Sequence, residues 1–390
     1  NVPRAKVQST AMLLSPGSDM DDSKRVTFTN VMFTSTTFLH DSVPNRVLSG
    51  GERTVAFRTD DQWARNAKKP GKVINLAGDI ITVEYDDGEI ESFSIGRYFG
   101  TWSGNIIPHQ IDTTLKVGDI FNKDDILAYN SYYFEPDNIN PKHVIFKRGI
   151  RGSVLFGEAR DTLEDANSIS IGFSQRLSTS ATEKRYVTIP ADHDVEVLVK
   201  AGTVVDPESI LCTLRPPLSG LSQRYSQEAL DALDALNTLT PKAKYDGVIE
   251  RVELMYTGEL DAMSESLQEI VSEYDAKLYR NNRKLDNPVK TAKIDPSYSI
   301  KGRDVGADQV VMVFYVTKLF GAAIGDKLVL GNQMKTIISN VVDQPYVAED
   351  GTVVDVSFSR QGISNRIVNS MDLQGTSNTF LSLVEKEMIE

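Results

Sequence analysis

Two lysines flank a short turn-forming stretch in the last quarter of the chain. Lys327 precedes the apolar run Leu328-Val329-Leu330, and Lys335 follows Gly331-Asn332-Gln333-Met334. A Gly-Asn pair between two apolar stretches can reverse the backbone, so a reversal near Gly331 predicts that the two lysines lie side by side. Two ammonium groups that close repel by roughly 1 kcal/mol in water. The pattern therefore predicts a polyanion such as phosphate between them. The alternative is a pair of ordinary solvated surface lysines.

Other phosphate and metal motifs are weak in this sequence. Gly331 is followed by Asn332 rather than by Lys and Ser or Thr, which argues against a P-loop. Cys212 is the only cysteine, which excludes a disulfide framework and a zinc site built on paired thiolates. The four histidines are scattered without an i, i+4 pair. We therefore expect no metal site made by this chain alone.

Composition limits the classes of protein to consider. The chain has 390 residues, of which 40% are hydrophobic and 25% charged, so it is long enough for two or three globular domains. Its formal net charge of −12 argues against a free-standing nucleic-acid-binding domain, which usually carries a basic excess. A subunit that uses a few local basic groups within a larger assembly is compatible with this charge. No apolar stretch approaches the roughly 18 residues of a membrane span, so we expect a cytosolic protein.

Strand patterns are the strongest signal for secondary structure. Residues 72–74, 79–85 and 90–95 alternate apolar and polar side chains, with Asp86-Asp87-Gly88 as a turn, and predict a β-meander. Two stretches predict helices, Ser226 to Leu236 and Glu259 to Leu285. The second places apolar residues at steps of three and four, which predicts an amphipathic helix packed on a β-scaffold, with a partner-docking helix as the alternative.

The segment Ile324 to Ile338 resembles a known family, the β subunit of multisubunit DNA-directed RNA polymerases, in its C-terminal half. The family's segment also has Gly-Asp-Lys, a short turn, Gly-Asn-Lys-Gly and a β-branched pair, with the same spacing of eight between its lysines. Further matches follow in the family's order: Leu14-Ser15-Pro16, Asp21-Asp22-Ser23-Lys24-Arg25, Leu48 to Glu52, Leu163-Glu164-Asp165-Ala166, Asp343 to Tyr346, Glu349 to Val356, and Gly362 to Arg366. The resemblance is collinear from about residue 13 to residue 370.

The chain also departs from the family pattern. Leu328-Val329-Leu330 replaces an Arg-His pair in the turn, Lys24 replaces an Asn, and Ser364 replaces a Pro. This drift, together with the absence of the family's N-terminal half, is most similar to the split β-type subunits of large bacteriophages. The family's C-terminal clamp segment is expected to be either missing or supplied by another chain. The resemblance then implies a protein of the host cytoplasm or of the virion.

The resemblance implies a mainly β fold with some α-helix. Residues 1–64 would form a fork- or connector-like segment and residues 65–134 a small all-β hybrid domain. A double-psi β-barrel would comprise residues 135–190 together with 305–372. Residues 191–304 would be a flap-like insertion with helices that interrupts this barrel, and residues 373–390 a C-terminal tail.

The resemblance also implies a role for each matched site residue. Lys327 and Lys335 would be the catalytic residues, binding phosphates near the growing RNA 3′ end. Arg25 and Arg366 would grip the triphosphate of the entering nucleotide, a task suited to guanidinium groups. Glu164 and Asp165 would lie near the metal ion that the nucleotide carries.

The implied reaction is template-directed nucleotidyl transfer by an assembly that includes DNA, RNA and other subunits. The catalytic Mg²⁺ would be held mainly by a β-prime-type subunit. The remaining partners would be an N-terminal β-type fragment and a promoter-specificity factor at the flap. The chain would be inactive alone. The alternative is a non-catalytic scaffold or assembly protein that retains the barrel.

Overall fold

The computed structural model describes residues 9–102, 104–157, 162, 165–217, 226, 238–285, 287–300, 302–331 and 333–389. Helices in these ranges are α1 (Thr10–Leu13), α2 (Ser23–Ser35), α3 (Ile171–Arg176), α4 (Glu265–Asn282), α5 (Arg360–Arg366) and α6 (Asn369–Ile389), with 3₁₀ turns at Ser18–Met20, Val55–Phe57 and Leu260–Ala262. Strands in the first half of the chain are β1 (Ala64–Asn66), β2 (Gly71–Ala77), β3 (Ile80–Tyr85), β4 (Ile90–Ser94), β5 (Gly96–Trp102), β6 (Asn105–Asp112), β7 (Ile120–Phe121), β8 (Ile126–Asn130), β9 (Phe134–Pro136), β10 (Val144–Phe146), β11 (Val154–Phe156), β12 (Ala166–Ser170) and β13 (Thr179–Pro190).

Strands in the second half are β14 (Asp194–Leu198), β15 (Val204–Val205), β16 (Cys212–Arg215), β17 (Gly247–Tyr256), β18 (Ser299–Ile300), β19 (Arg303–Asp304), β20 (Gln309–Phe320), β21 (Lys327–Leu330), β22 (Met334–Val342) and β23 (Val356–Phe358). The described chain is therefore mainly β with some α-helix, as predicted. No helix among the described residues has the length and apolar character required to cross a bilayer.

The predicted β-meander is confirmed. Strands β2, β3 and β4 pair antiparallel in succession, and β7 extends the sheet beyond β2. Ile81 and Val83 are fully buried within this unit's core, which also contains Phe121. Because successive strand residues face opposite sides of a sheet, the alternation at the start of β2 is the pattern expected for a strand with one buried face.

A larger sheet forms the scaffold of the middle of the chain. Strand β20 pairs with β13 on one side and with β17 on the other, both antiparallel, and β6 connects β13 to β8 and β1. Helix α4 packs Leu267 and Val271 into the core next to this sheet. Ser264 caps the helix by accepting a hydrogen bond from the Leu267 N–H at 3.4 Å. The predicted amphipathic helix is thus present and packed on a β-scaffold. The other predicted helix, Ser226 to Leu236, lies outside the described residues except for Ser226.

A five-stranded mixed sheet joins two parts of the chain that are far apart in sequence. Its strand order is β11-β23-β12-β22-β21. Strand β12 runs parallel to β22, and β11 runs parallel to β23. Parallel neighbours cannot be connected by a tight hairpin. The chain therefore leaves this sheet after β12, forms the elements between residues 171 and 326, and returns to complete it.

This sheet is the part of the fold that concerns the predicted barrel. In the described residues it is open, with β11 at one edge and β21 at the other. A closed double-psi barrel is not observed there and remains a prediction.

Candidate functional site

The lysine pair lies on the hairpin formed by β21 and β22. Lys327 is opposite Ile337, and Lys335 is opposite Val329. Opposite residues of an antiparallel pair point to the same face of the sheet, as do residues two apart in one strand. The two lysines therefore share one face but are offset diagonally, with their Cα atoms roughly 7–8 Å apart. The predicted reversal is present, since Gly331 lies between the last paired residues, Leu330 and Met334. The register places Ile337 opposite Lys327, so the two lysines are diagonal neighbours and are not directly opposite each other.

The diagonal offset weakens the electrostatic argument for a bound polyanion. Long, flexible side chains starting from diagonal positions can hold their ammonium groups apart, which brings the repulsion below the roughly 1 kcal/mol of a close pair in water. Lys327 and Lys335 are both exposed. The hairpin therefore tolerates the lysines without an anion, while presenting two positive charges on one surface. Both lysines line an open groove with a volume of about 2030 Å³.

The opposite face of the hairpin fixes it to the rest of the sheet. Met334, Thr336 and Ile338 are buried, alternating with the exposed Lys335 and Ile337. Asn167 in β12 donates a buried hydrogen bond from Nδ2 to Thr336 Oγ1 at 2.6 Å. The lysine-bearing strand is therefore held by apolar packing and by a polar contact to its parallel neighbour.

Asp165 lies beside the same strand. Its backbone is in the left-handed region, with φ 55°, and its carbonyl accepts a hydrogen bond from the Ile337 N–H at 2.7 Å. Ala166, the next residue, begins the parallel pairing with Ile337. The start of β12 thus fixes Asp165 next to β22, two residues along the strand from Lys335.

Arg366 is held next to Asp165. It ends helix α5, and its Nη2 donates a hydrogen bond to Asp165 Oδ1. Ile367 follows in the left-handed conformation and donates its N–H back to the carbonyls of Ile363 and Ser364. The end of α5 therefore places the Arg366 guanidinium beside Asp165, just before the start of β12. The structure therefore brings together two of the predicted site residues that are distant in sequence.

Arg25 belongs to a segment that contacts this helix end. It lies in the first turn of α2, where its guanidinium is 5.7 Å from the centre of the Phe28 ring. Asp22, three residues earlier, donates its N–H to the carbonyl of Ile367 at 3.4 Å. The start of α2 and the end of α5 are therefore neighbours.

A further contact fixes this junction, and no pattern in the sequence indicates it. Both carboxylate oxygens of Asp21 accept hydrogen bonds from Ser370, one from the backbone N–H at 2.8 Å and one from Oγ at 2.6 Å. Burial raises the pKa of Asp21 above its ordinary value, although the bonds from Ser370 oppose the shift. Because the two residues belong to distant segments, their pairing depends on tertiary structure alone.

The site residues divide into two groups. Lys327 and Lys335 line the groove, whereas Arg25, Asp165 and Arg366 are not among the residues that line it. Strand β22 connects the groups, since Ile337 shares a face with Lys335 and bonds to Asp165. The arrangement presents two ammonium groups on one surface and a guanidinium near the start of the neighbouring strand.

Basic residues in the groove wall were missed from the sequence, and their contacts indicate structural roles. Burial lowers the pKa of the Arg148 guanidinium to about 10, and this group lies 4.3 Å from the centre of the Phe33 ring. Arg151 donates to the carbonyl of Pro44 from Nε at 3.1 Å and from Nη2 at 2.7 Å. Both cations are already engaged in holding the wall together.

Comparison with known proteins places this geometry in context. No protein-family model matches the chain. Over 94% of its length, the chain is 22% identical to the DNA-directed RNA polymerase subunit beta of Tropheryma whipplei and 24% identical to those of Streptococcus thermophilus and Thermus thermophilus. The chain is similar to RNA polymerase β subunits. It spans about 30% of the length of these relatives, with coverage of 30%, 29% and 31%, respectively. These weak homologues support the family suggested by the motifs, but the likeness to bacteriophage subunits stays a prediction.

The β-subunit resemblance also raises the question of a metal site. Among the described residues, no group of three or more His, Cys, Asp and Glu side chains could hold a metal ion. Glu164, which the resemblance places near a metal, lies outside the described residues. Asp165 is described, and Oδ1 of its carboxylate is paired with Arg366. The role near a metal that the resemblance implies for these two residues stays a prediction.

Proposed function

We propose that this chain is the C-terminal portion of a β-type subunit of a DNA-dependent RNA polymerase. In this role it positions the RNA 3′ end and the triphosphate of the entering nucleotide for nucleotidyl transfer. The observation that carries the proposal is the five-stranded sheet. It brings the segment of Asp165 next to the strand of Lys335, and these segments match the β-subunit motifs in the same order along the chain.

The proposed roles follow from the charge and shape of each side chain. Lys327 and Lys335 bind phosphates of the RNA near its growing end, acting as compact positive charges on flexible stems. Arg25 and Arg366 hold the triphosphate, because a guanidinium can bond two phosphate oxygens at once. Holding both reactants in line lowers the entropic part of the barrier. Mg²⁺, held mainly by a β-prime-type subunit, would supply the neutralising charge.

The finer assignments belong to the same proposal. Residues 135–190 and 305–372 form the double-psi barrel, which includes the five-stranded sheet, and residues 191–304 form a flap-like insertion. The partners are an N-terminal β-type fragment, a β-prime-type subunit and a promoter-specificity factor at the flap. The drift of the lysine turn away from the bacterial pattern supports a subunit of the split, bacteriophage type, working in the cytoplasm of the host cell.

The test is primer extension by the complex that copurifies with the tagged chain. Lys327→Ala and Lys335→Ala should each slow elongation from a preformed RNA primer, on the order of 10–100-fold, since each removes a preorganised charge from a reacting phosphate. Lys72→Ala is the matched control, because Lys72 is an exposed strand lysine in the β-meander. If complexes with Lys327→Ala or Lys335→Ala elongate as fast as the control, the catalytic assignment is refuted. The non-catalytic scaffold would then be the better assignment for this chain.

A further inference from the structure

The ion pair between Asp165 and Arg366 connects the two halves of the site. Arg366 is mostly shielded from solvent, with 24% of its side chain exposed, whereas 55% of the Asp165 side chain is exposed. The Asp165 backbone is fixed independently, since its carbonyl accepts the Ile337 N–H. A carboxylate with a fixed backbone can define where a flexible arginine side chain comes to rest.

The position of Gly362 supports the same geometry. Side chains on a helix lean toward its N-terminus, so Arg366 lies over the residue four positions earlier. That residue is Gly362, and a Cβ added there would lie 3.2 Å from Nη1 of Arg366. It would also lie 3.3 Å from Cε of the buried Met334. The missing side chain therefore leaves the space that the guanidinium occupies.

The pairing leaves acceptor sites on Asp165 and donors on Arg366. It uses Oδ1 of the Asp165 carboxylate, and Oδ2 keeps its own acceptor sites. Arg366 itself has five N–H donors, and the bond to Asp165 uses one of them. Up to four donors are left to face a bound anion.

We propose that Asp165 is a positioning residue, which acts through Arg366 by orienting it for the triphosphate of the entering nucleotide. The inference rests on the proposed function, because it takes the triphosphate as the ligand of Arg366. The role near the metal that the resemblance implied for Asp165 is the alternative, and the Mg²⁺ dependence distinguishes the two. Gly362 contributes by leaving room for the oriented guanidinium.

Steady-state kinetics of the copurified complex test the proposal. Asp165→Ala should raise KM for the nucleotide roughly tenfold, about the loss of one charge-assisted hydrogen bond, with kcat within about twofold. Asp165→Asn should have a smaller effect, since its amide oxygen can still accept from Arg366. The Mg²⁺ concentration for half-maximal rate should stay unchanged. Glu196→Ala is the control, because Glu196 forms an exposed ion pair with Arg215 at 2.8 Å and neither residue lines the groove.

The double variant separates a positioning role from an independent one. If Asp165 acts through Arg366, then Asp165→Ala combined with Arg366→Ala should have the same KM as Arg366→Ala alone. An additional loss in the double variant, or a higher Mg²⁺ requirement in Asp165→Ala, would overturn the inference. Thermal melting of each variant chain identifies any loss that comes from unfolding.

The outcomes also distinguish this inference from the proposed function. If Arg366→Ala raises KM but Asp165→Ala does not, only the positioning role fails. If Arg366→Ala leaves KM unchanged, the triphosphate role of Arg366 fails and the positioning role fails with it. Lys327→Ala and Lys335→Ala test the proposed contacts to the RNA 3′ end independently of either outcome.

Discussion

Gly331 controls how closely the lysine hairpin approaches the C-terminal helix. Its φ of 51° lies in the left-handed region, where an L side chain is strained. A Cβ at this position would also overlap Sδ of Met371 in α6. Met371 is buried and packs with Met334 and Phe358. Gly331→Ala should therefore push the hairpin away from α6.

The expected loss has two parts. Placing alanine in the left-handed conformation costs roughly 1–2 kcal/mol. Overpacking a core typically costs roughly 1–3 kcal/mol, although the flexible thioether of Met371 can absorb part of it. We therefore expect Gly331→Ala to lower the local opening free energy of the hairpin by about 2–4 kcal/mol.

Hydrogen–deuterium exchange measures this local free energy directly. Peptides covering residues 327–342 should exchange on the order of 30-fold or more faster in Gly331→Ala, since 2 kcal/mol corresponds to about that factor. Gly78→Ala is the matched control, because Gly78 has φ 60° but no atom lies within 4 Å of the position that an alanine Cβ would take there. It should show the backbone part alone, measured in peptides covering 71–85.

Combining Gly331→Ala with Met371→Ala tests the steric part. Removing the Met371 side chain removes the overlap, so the double variant should lose less than the sum of the two single losses. Strictly additive losses, or a Gly331→Ala effect no larger than that of Gly78→Ala, would show that the contact with Met371 does not constrain the hairpin.

Two further predictions concern carboxylates that accept hydrogen bonds within the fold. Asp275 in α4 accepts hydrogen bonds from the Tyr256 hydroxyl at 2.9 Å and from the Ala292 N–H at 2.6 Å. Asp275→Ala leaves both donors without this acceptor and should destabilise this unit by about 2–4 kcal/mol, measured as faster hydrogen–deuterium exchange in peptides covering 247–256. Tyr256→Phe removes one donor and should lose only about 1 kcal/mol; equal losses would contradict this account. Burial raises the pKa of Asp21 above 3.8, so its contribution is fully present below pH 3.8 and is lost as pH rises through the raised pKa. The wild-type chain should therefore lose stability relative to Asp21→Asn as pH rises from 3.8 through the raised pKa. The measurement is the difference in urea midpoint between the two proteins at each pH. A difference that stays constant with pH would refute the burial argument.

Local patterns in the sequence predicted the meander and α4. Strand β2 begins with alternating buried and exposed side chains, and α4 is indicated by Leu267 and Val271 at helical spacing. Strand β3 is buried from residue 80 to residue 83, so its β-branched residues indicate the strand more than alternation does. The lysine hairpin was also predicted, and so was the shared orientation of Lys327 and Lys335. Its register was not, because hairpin register depends on the conformation of the turn, and strand pairing here closes at Leu330 and Met334.

The contacts between site segments could not be derived from spacing. The partners Asp165 and Arg366 are separated by 201 positions, and Asp21 and Ser370 by 349. Neither pair belongs to a local pattern with a known period. Only the collinear resemblance to the polymerase subunit suggested that Asp165 and Arg366 belong to one site. It gave the two residues separate roles, whereas the structure joins them in an ion pair.

The acidic character of the chain constrains how such a site can attract a polyanion. With a net charge of −12, the chain as a whole repels nucleic acid at long range, but salt screens exposed charges beyond roughly 8–10 Å. Asp326, Glu349 and Asp350 line the same groove as Lys327 and Lys335, so a bound phosphate would have to lie closer to the lysines than to these carboxylates. Under the proposed function, affinity would come from a few short contacts to the two lysines, and the steering field from partner subunits. Two exposed lysines on a well-anchored strand would then be sufficient in an acidic subunit.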